Sequence, residues 1–320
     1  MGVNDQITFD NNAAGKALTT NLRLSQILGA EIGLLLADRA SLYGHPAIPL
    51  VGDLTGSGSD TLRHRLIGLD GYDEMAAAAA PQNEINAFNP TALSDGHVDI
   101  ALVRAAISRE VSDLAVLSQF GSPDVDPYKL AESTVGAFLM YFTSQVATAG
   151  ASFGSSVGSA SRDMDVSDFY DALFTLELAN VPGPYVSILH PRQVADFQSA
   201  LRSEPNALAM SSDTQSALQI KGQGSIGSYM GVELFKSSKI TAGGGAKKGF
   251  MMGYGAMGYV IGRPAPFAGA AEVQMPAGVP IAIEFERSAA ESLTRIVSTA
   301  YIGVSILQDS MGVLIATDAA

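Results

Sequence analysis

The chain has 320 residues, enough for two compact domains; 47% are apolar and only 16% charged, which supplies a large core and excludes wholesale disorder. A formal charge of −13 argues against a sequence reader of DNA, which carries a basic stripe, and the count of zero cysteines excludes disulfides, thiolate metal sites and cysteine nucleophiles. No charge-free apolar run of membrane-spanning length appears, and MGVNDQITFDNN lacks the basic-then-apolar pattern of a secretory leader.

Residues 1–46 read as a polar arm with a helical piece around Glu31 to Arg39. It has little core of its own and is expected to order on another surface. Residues 47–104 read as an extended hairpin. Leu54 to Asp60 forms a turn, Leu62 to Ile67 alternates as a strand, and Val98 to Val103 returns. Between the two strands lies the low-complexity run Ala76 to Ala80, bracketed by Gly71 and Pro81. A loop of that length is unusual inside a compact domain and makes sense as a projection onto a neighbour.

Residues 105–164 contain the longest predicted helix. Asp126 caps it, Pro127 suits its first turn, and Ala131, Val135, Phe138, Phe142 and Val146 recur at three- and four-residue steps. Residues 165–275 open with the most informative stretch of the chain. Asp165 caps an amphipathic helix with Phe169, Leu173 and Leu176 on one face, and Val181-Pro182-Gly183-Pro184 ends it. Tyr185 to Leu189 follows as a strand, and Pro191 opens a second helix with Val194, Phe197 and Leu201 on one stripe. Next come a strand over Tyr229 to Phe235, a Gly243-Gly244-Gly245 tip and an alternating run from Gly249 to Gly262. Residues 276–320 read as closing strands: Ile281 onward, Ile296 to Leu307, and Gly312 to Ile315 after the Gln308-Asp309-Ser310 turn.

Motifs for enzyme chemistry are sparse. Gly222-Gln223-Gly224-Ser225-Ile226-Gly227 has the spacing of a dinucleotide-binding loop, but that loop works only where a helix follows, and SYMGVELF has strand composition. His45, His64, His97 and His190 are scattered without metal-ligand spacing, and His45 and His190 precede prolines. No catalytic residue, cofactor or metal is assigned. Lys247-Lys248 could meet phosphate or simply end a solvated loop. Arg63 and Arg65 share one face of the hairpin strand, either as a soluble face or as partners for acids of an adjacent subunit. The acidic run Asp163, Asp165, Asp168 and Asp171 is either that partner or a favourable helix N-terminus.

Three pieces of wording, Ser108-Arg109-Glu110-Val111, Ile188 to Gln193 ("ILHPRQ") and Thr294 to Asp309 with its "RIVSTAYIGVSILQD" from Arg295, resemble the major capsid proteins of tailed bacteriophages. The order of arm, hairpin, long helix, αβα layer and closing strands is similar to that of the Hong Kong ninety-seven phage shell fold, an α+β fold. The resemblance implies that the long helix is the spine of a peripheral domain and that residues 165–275 form an axial domain. It further implies pentamers and hexamers building an icosahedral head around double-stranded DNA in the virion, after synthesis in the bacterial host cytoplasm. A separate scaffolding protein, a portal and a decoration protein would be partners. Certain family members join subunits through a hairpin lysine. This chain has no lysine from residue 46 to 103, so its shell is expected to hold without covalent cross-links. An encapsulin-like nanocompartment is the alternative within the fold, and a nucleotide-binding enzyme built on Gly222 to Gly227 is the alternative outside it.

Overall fold

The computed structural model describes residues 32, 35, 36, 42–67, 95–112, 127–203, 225–240, 242–243, 246–263 and 280–318. Two sheets and three helices share one contiguous apolar core.

The long helix α1 runs from Pro127 to Gly150, about 36 Å at 1.5 Å per residue. Its predicted stripe of Ala131, Val135, Phe138, Phe142 and Val146 is buried. It packs on a five-stranded sheet whose centre is the long strand β13 (Leu293–Ile306). One edge of β13 is taken by β4 (Val103–Ser112), the other first by β12 (Ile281–Ser288) and then by β11 (Met257–Gly262). Strand β1 (Leu50–Asp53) adds to β11 in parallel. Two of the capsid-like wordings are thus neighbours in register: Arg295 lies opposite Glu110, donating to its carboxylate at 2.7 Å, and reaches Glu286 on β12 at 3.3 Å.

The seven-stranded sheet has the order β5 (Ser155–Gly158), β14 (Gly312–Asp318), β10 (Ala246–Gly253), β6 (Tyr185–Leu189), β8 (Val232–Lys236), β7 (Ser225–Tyr229), with the two-residue β9 (Ala242–Gly243) beside β10. Helices α2 (Val166–Leu178) and α3 (Pro191–Ser203) cover it, as the apolar spacing predicts, with Phe169 stacked on Phe197 at 5.2 Å. Strand β2 (Thr61–Ile67) pairs antiparallel with β3 (Asp95–Ala101) as the base of the predicted hairpin; Ala76 to Ala80 lies outside the described residues, as does the cap Asp126.

The structure departs from the sequence reading in four places. The strand expected over Tyr229 to Phe235 is the end of β7, a turn at Met230-Gly231 and β8, which pair antiparallel as a tight hairpin. The return strand ends at Ala101: Leu102 donates its N–H to the Asp60 carbonyl at 2.8 Å and passes the chain into the five-stranded sheet as β4. The run Gly249 to Gly262 is two strands in two sheets, broken at Tyr254-Gly255, where Gly255 takes φ +82°. The end of the arm orders on this chain's own core: Ile32, Leu35, Leu36 and Leu42 are buried, and Tyr43 packs edge-on against Phe138 and Phe142. Burial and the adjoining Tyr259 hydroxyl push the Tyr43 phenol well above its usual range.

Candidate functional site

The hairpin register sets Arg63 opposite Asp99 and Arg65 opposite His97. Arg63 donates to both carboxylate oxygens of Asp99, at 2.9 and 3.0 Å, and the two hydrogen bonds hold that exposed carboxyl below the usual range. Arg65 is exposed and makes no ion pair among the described residues.

The acidic run takes different roles residue by residue. Asp165 accepts from the Val166 N–H at 2.7 Å, and Asp168 accepts from the Asp165 N–H at 3.0 Å, a reciprocal cap on α2. Asp168 is fully buried, and its other oxygen takes the Arg162 guanidinium. Of the two roles open to Asp165 and Asp168, the helix cap is the one they fill within the chain. Asp163 lies 3.6 Å from Arg192, and Asp171 is exposed.

The second helix start is equally built. His190 precedes Pro191, and its Nδ1 accepts the Arg192 N–H at 3.1 Å, while Gln193 Oε1 takes the His190 N–H at 3.0 Å. Partial burial, and then the Lys247 charge, push the His190 imidazole below its ordinary value of 6.5. His45 stands 3.2 Å from Glu233 and edge-on to Phe235, linking the segment before β1 to the seven-stranded sheet.

Among the described residues nothing resembles a nucleotide site. Gly222 and Gly224 lie outside the described residues, and Gly227 sits inside β7, which turns at Met230-Gly231 into β8. A strand stands where the pyrophosphate-binding helix is required. Among the described residues no group of three or more acids and histidines could hold a metal, and no helix is long and apolar enough to cross a membrane. An apolar hollow of about 120 Å³ lies between α1 and the five-stranded sheet, lined by Phe138, Tyr141, Ile281 and Ala300. A polar hollow of about 390 Å³ lies between Asp163, Asp165 and Asp196.

Sequence reasoning missed an exposed apolar stripe, Tyr170, Phe174 and Leu178, on the outer side of α2. The spacing of four that found the buried face also marks this second one, because a helix apolar on both sides has more to cover than its own core.

No family model matches the chain, and no curated protein matches it in sequence. Solved structures do match in fold. A structure from Mycobacterium phage Che8 has a TM-score of 0.59 at 14% identity, covering 86% of this chain and 91% of that one. The capsid of Ralstonia phage GP4 gives 0.59 at 10% identity, covering 88% and 92%. An encapsulin complex from Synechococcus elongatus gives 0.52 at 14% identity, covering 71% and 78%. The chain therefore has the α+β shell fold of the Hong Kong ninety-seven-like phage capsid proteins.

Proposed function

We propose that this chain is the major capsid protein of a tailed bacteriophage, an assembly protein without catalytic residues. Copies of it associate as pentamers and hexamers into the icosahedral head that encloses the double-stranded DNA genome. The observation that carries this reading is the likeness in fold to phage shell structures over nearly the whole chain, about nine-tenths of each partner. A net charge of −13 suits a container that releases its DNA, since an acidic wall does not bind the polyanion tightly.

The subunit is made in the bacterial host cytoplasm and resides in the virion, with a separate scaffolding protein, a portal and a decoration protein as partners. Arg65 is the hairpin residue best placed to meet a neighbour's acid, because Arg63 is already held by Asp99. Asp163, half-satisfied by Arg192, remains open to such a contact, whereas Asp165 and Asp168 are engaged at the cap of α2.

An encapsulin-like compartment is the second reading, supported by the match to the Synechococcus shell over a smaller part of both chains. The contents of purified, nuclease-treated particles separate the two. Protected genome-length double-stranded DNA is expected; a protein cargo without nucleic acid would overturn the phage reading.

A further inference from the structure

We propose that the two ends of the seven-stranded sheet mate head to tail between neighbouring copies of this chain, the acid-flanked apolar stripe of α2 meeting a lysine cluster at the opposite end. The proposal rests on the shell reading above and adds to it the residues that join one subunit to the next.

Tyr170, Phe174 and Leu178 recur at four-residue steps and are 38%, 61% and 70% exposed. At 100° per residue, Asp171 and Glu177 stand on either side of this stripe, both exposed and neither in an ion pair among the described residues. The helix has no basic residue in its last turn, so its terminal carbonyls add to the negative potential. From Asp163 to Leu189 the sequence carries five acids and no base. Met230, 51% exposed at the β7–β8 turn, adds apolar surface nearby, where the Tyr229 and Tyr170 hydroxyls lie 3.3 Å apart.

The other end has the reverse character. From Leu234 to Ala271 there are five bases, among them Lys236, Lys239, Lys247 and Lys248, and no acid. None of these four lysines makes an ion pair among the described residues, and Lys236 and Lys239 are exposed. The two patches lie at opposite ends of β6. Tyr185, at its start, pairs with Val232 just after the Met230 turn and follows the C-terminus of α2, while Leu189, at its finish, pairs with Lys236. Four steps of about 3.3 Å separate them.

A closed ring of identical subunits needs two different patches on each, because a head-to-tail contact never joins a surface to itself. Copies that each carry −13 repel unless a basic surface meets an acidic one. Lysine stems lie well along aromatic rings while their ammonium groups reach flanking carboxylates, so one contact covers Phe174 and Leu178 and neutralises Asp171 and Glu177. DNA phosphates would satisfy the lysines but leave the apolar stripe bare. A second copy satisfies both.

The test is assembly of the full-length chain, followed by light scattering and negative-stain imaging, with circular dichroism as the folding control. Asp171→Lys with Glu177→Lys, or Lys236→Glu with Lys239→Glu, should each lower the assembly rate by at least about tenfold, since like charges then face each other. All four changes together should restore most of it. In wild-type particles, a carboxyl-to-amine coupling reagent should join Asp171 or Glu177 to Lys236 or Lys239, read by peptide mapping. Normal assembly of either double variant overturns the proposal. So does loss without rescue in a folded quadruple variant combined with no such coupled peptides, the result expected if DNA or another protein occupies the lysines. Wild-type chain that never assembles, even when expressed with its scaffolding protein, overturns the shell reading itself.

Discussion

The side-chain amide of Gln193 donates to the carbonyl of Ile315 at 3.1 Å, tying the start of α3 to β14 across 122 residues of sequence. The same nitrogen lies 2.9 Å from Thr317 Oγ1 and 3.2 Å from the Lys247 carbonyl, and Gln193 is fully buried. The glutamine that ends "ILHPRQ" is thus the clamp between a helix cap and two strands. Gln193→Leu keeps the volume but leaves buried polar groups without partners, a loss of about 1–3 kcal/mol. Urea unfolding of the unassembled subunit should show it, and an unchanged midpoint would contradict the clamp.

Two glycines should respond in opposite directions to alanine. Gly158 takes φ +82°, and a Cβ there would stand 2.3 Å from the Ala316 carbonyl oxygen, against the β5–β14 pairing. Gly158→Ala should destabilise by about 1–3 kcal/mol or more. Gly136 sits within α1 with nothing within 4 Å of an added Cβ, so Gly136→Ala should stabilise by about 0.5–1 kcal/mol. Thermal unfolding of both variants checks the pair, and a shift of the same sign in both would be inconsistent with it.

The two hairpin arginines should separate in assembly. Arg63 is held by Asp99 within the chain, whereas Arg65 faces His97 and has no carboxylate partner among the described residues. Arg65→Glu should therefore slow shell formation more than Arg63→Glu, with circular dichroism unchanged in both because the hairpin base lies outside the main core. Equal, unimpaired assembly would make both a solvated face.

Acid should loosen the start of α3. Burial and Lys247 lower the His190 value in the folded state, so between that value and 6.5 the unfolded chain binds more protons. The contribution is fully present above 6.5 and is lost as pH falls through the folded value. Protonation also turns Nδ1 from acceptor to donor, removing its bond to the Arg192 N–H. His190→Asn keeps a capping acceptor and should flatten the pH dependence of the urea midpoint below 6.5. An undiminished dependence in the variant would assign it to other groups.

The three helices and β6 were legible because their signals are local: apolar spacing, Asp165 at a cap, Pro191 at a first turn. The sheets were not, because strand order depends on partners far away in sequence. Nothing near Leu50 announces a parallel pairing with β11, and nothing near Ser155 announces β14. The break at Leu102 likewise depends on the distant Gly262, whose missing side chain leaves room for the leucine. Candidate charges were found by type but not by role. Arg63 met its acid once the register placed Asp99 opposite, and Asp168 went inward because a guanidinium six residues earlier was there to receive it. The outer stripe of α2 was in plain view at four-residue spacing, yet among the described residues Phe174 and Leu178 stay exposed while the inner face is buried.

The most direct measurement of the central claim is sedimentation of the full-length chain, expressed with its scaffolding protein, over rising concentration, with negative-stain imaging of what sediments. The account predicts five- or six-membered rings and closed shells built from an intact 33.2 kDa chain that boils down to a single band without cross-linked multiples. A folded monomer at every concentration, with no rings or shells in the images, would contradict it.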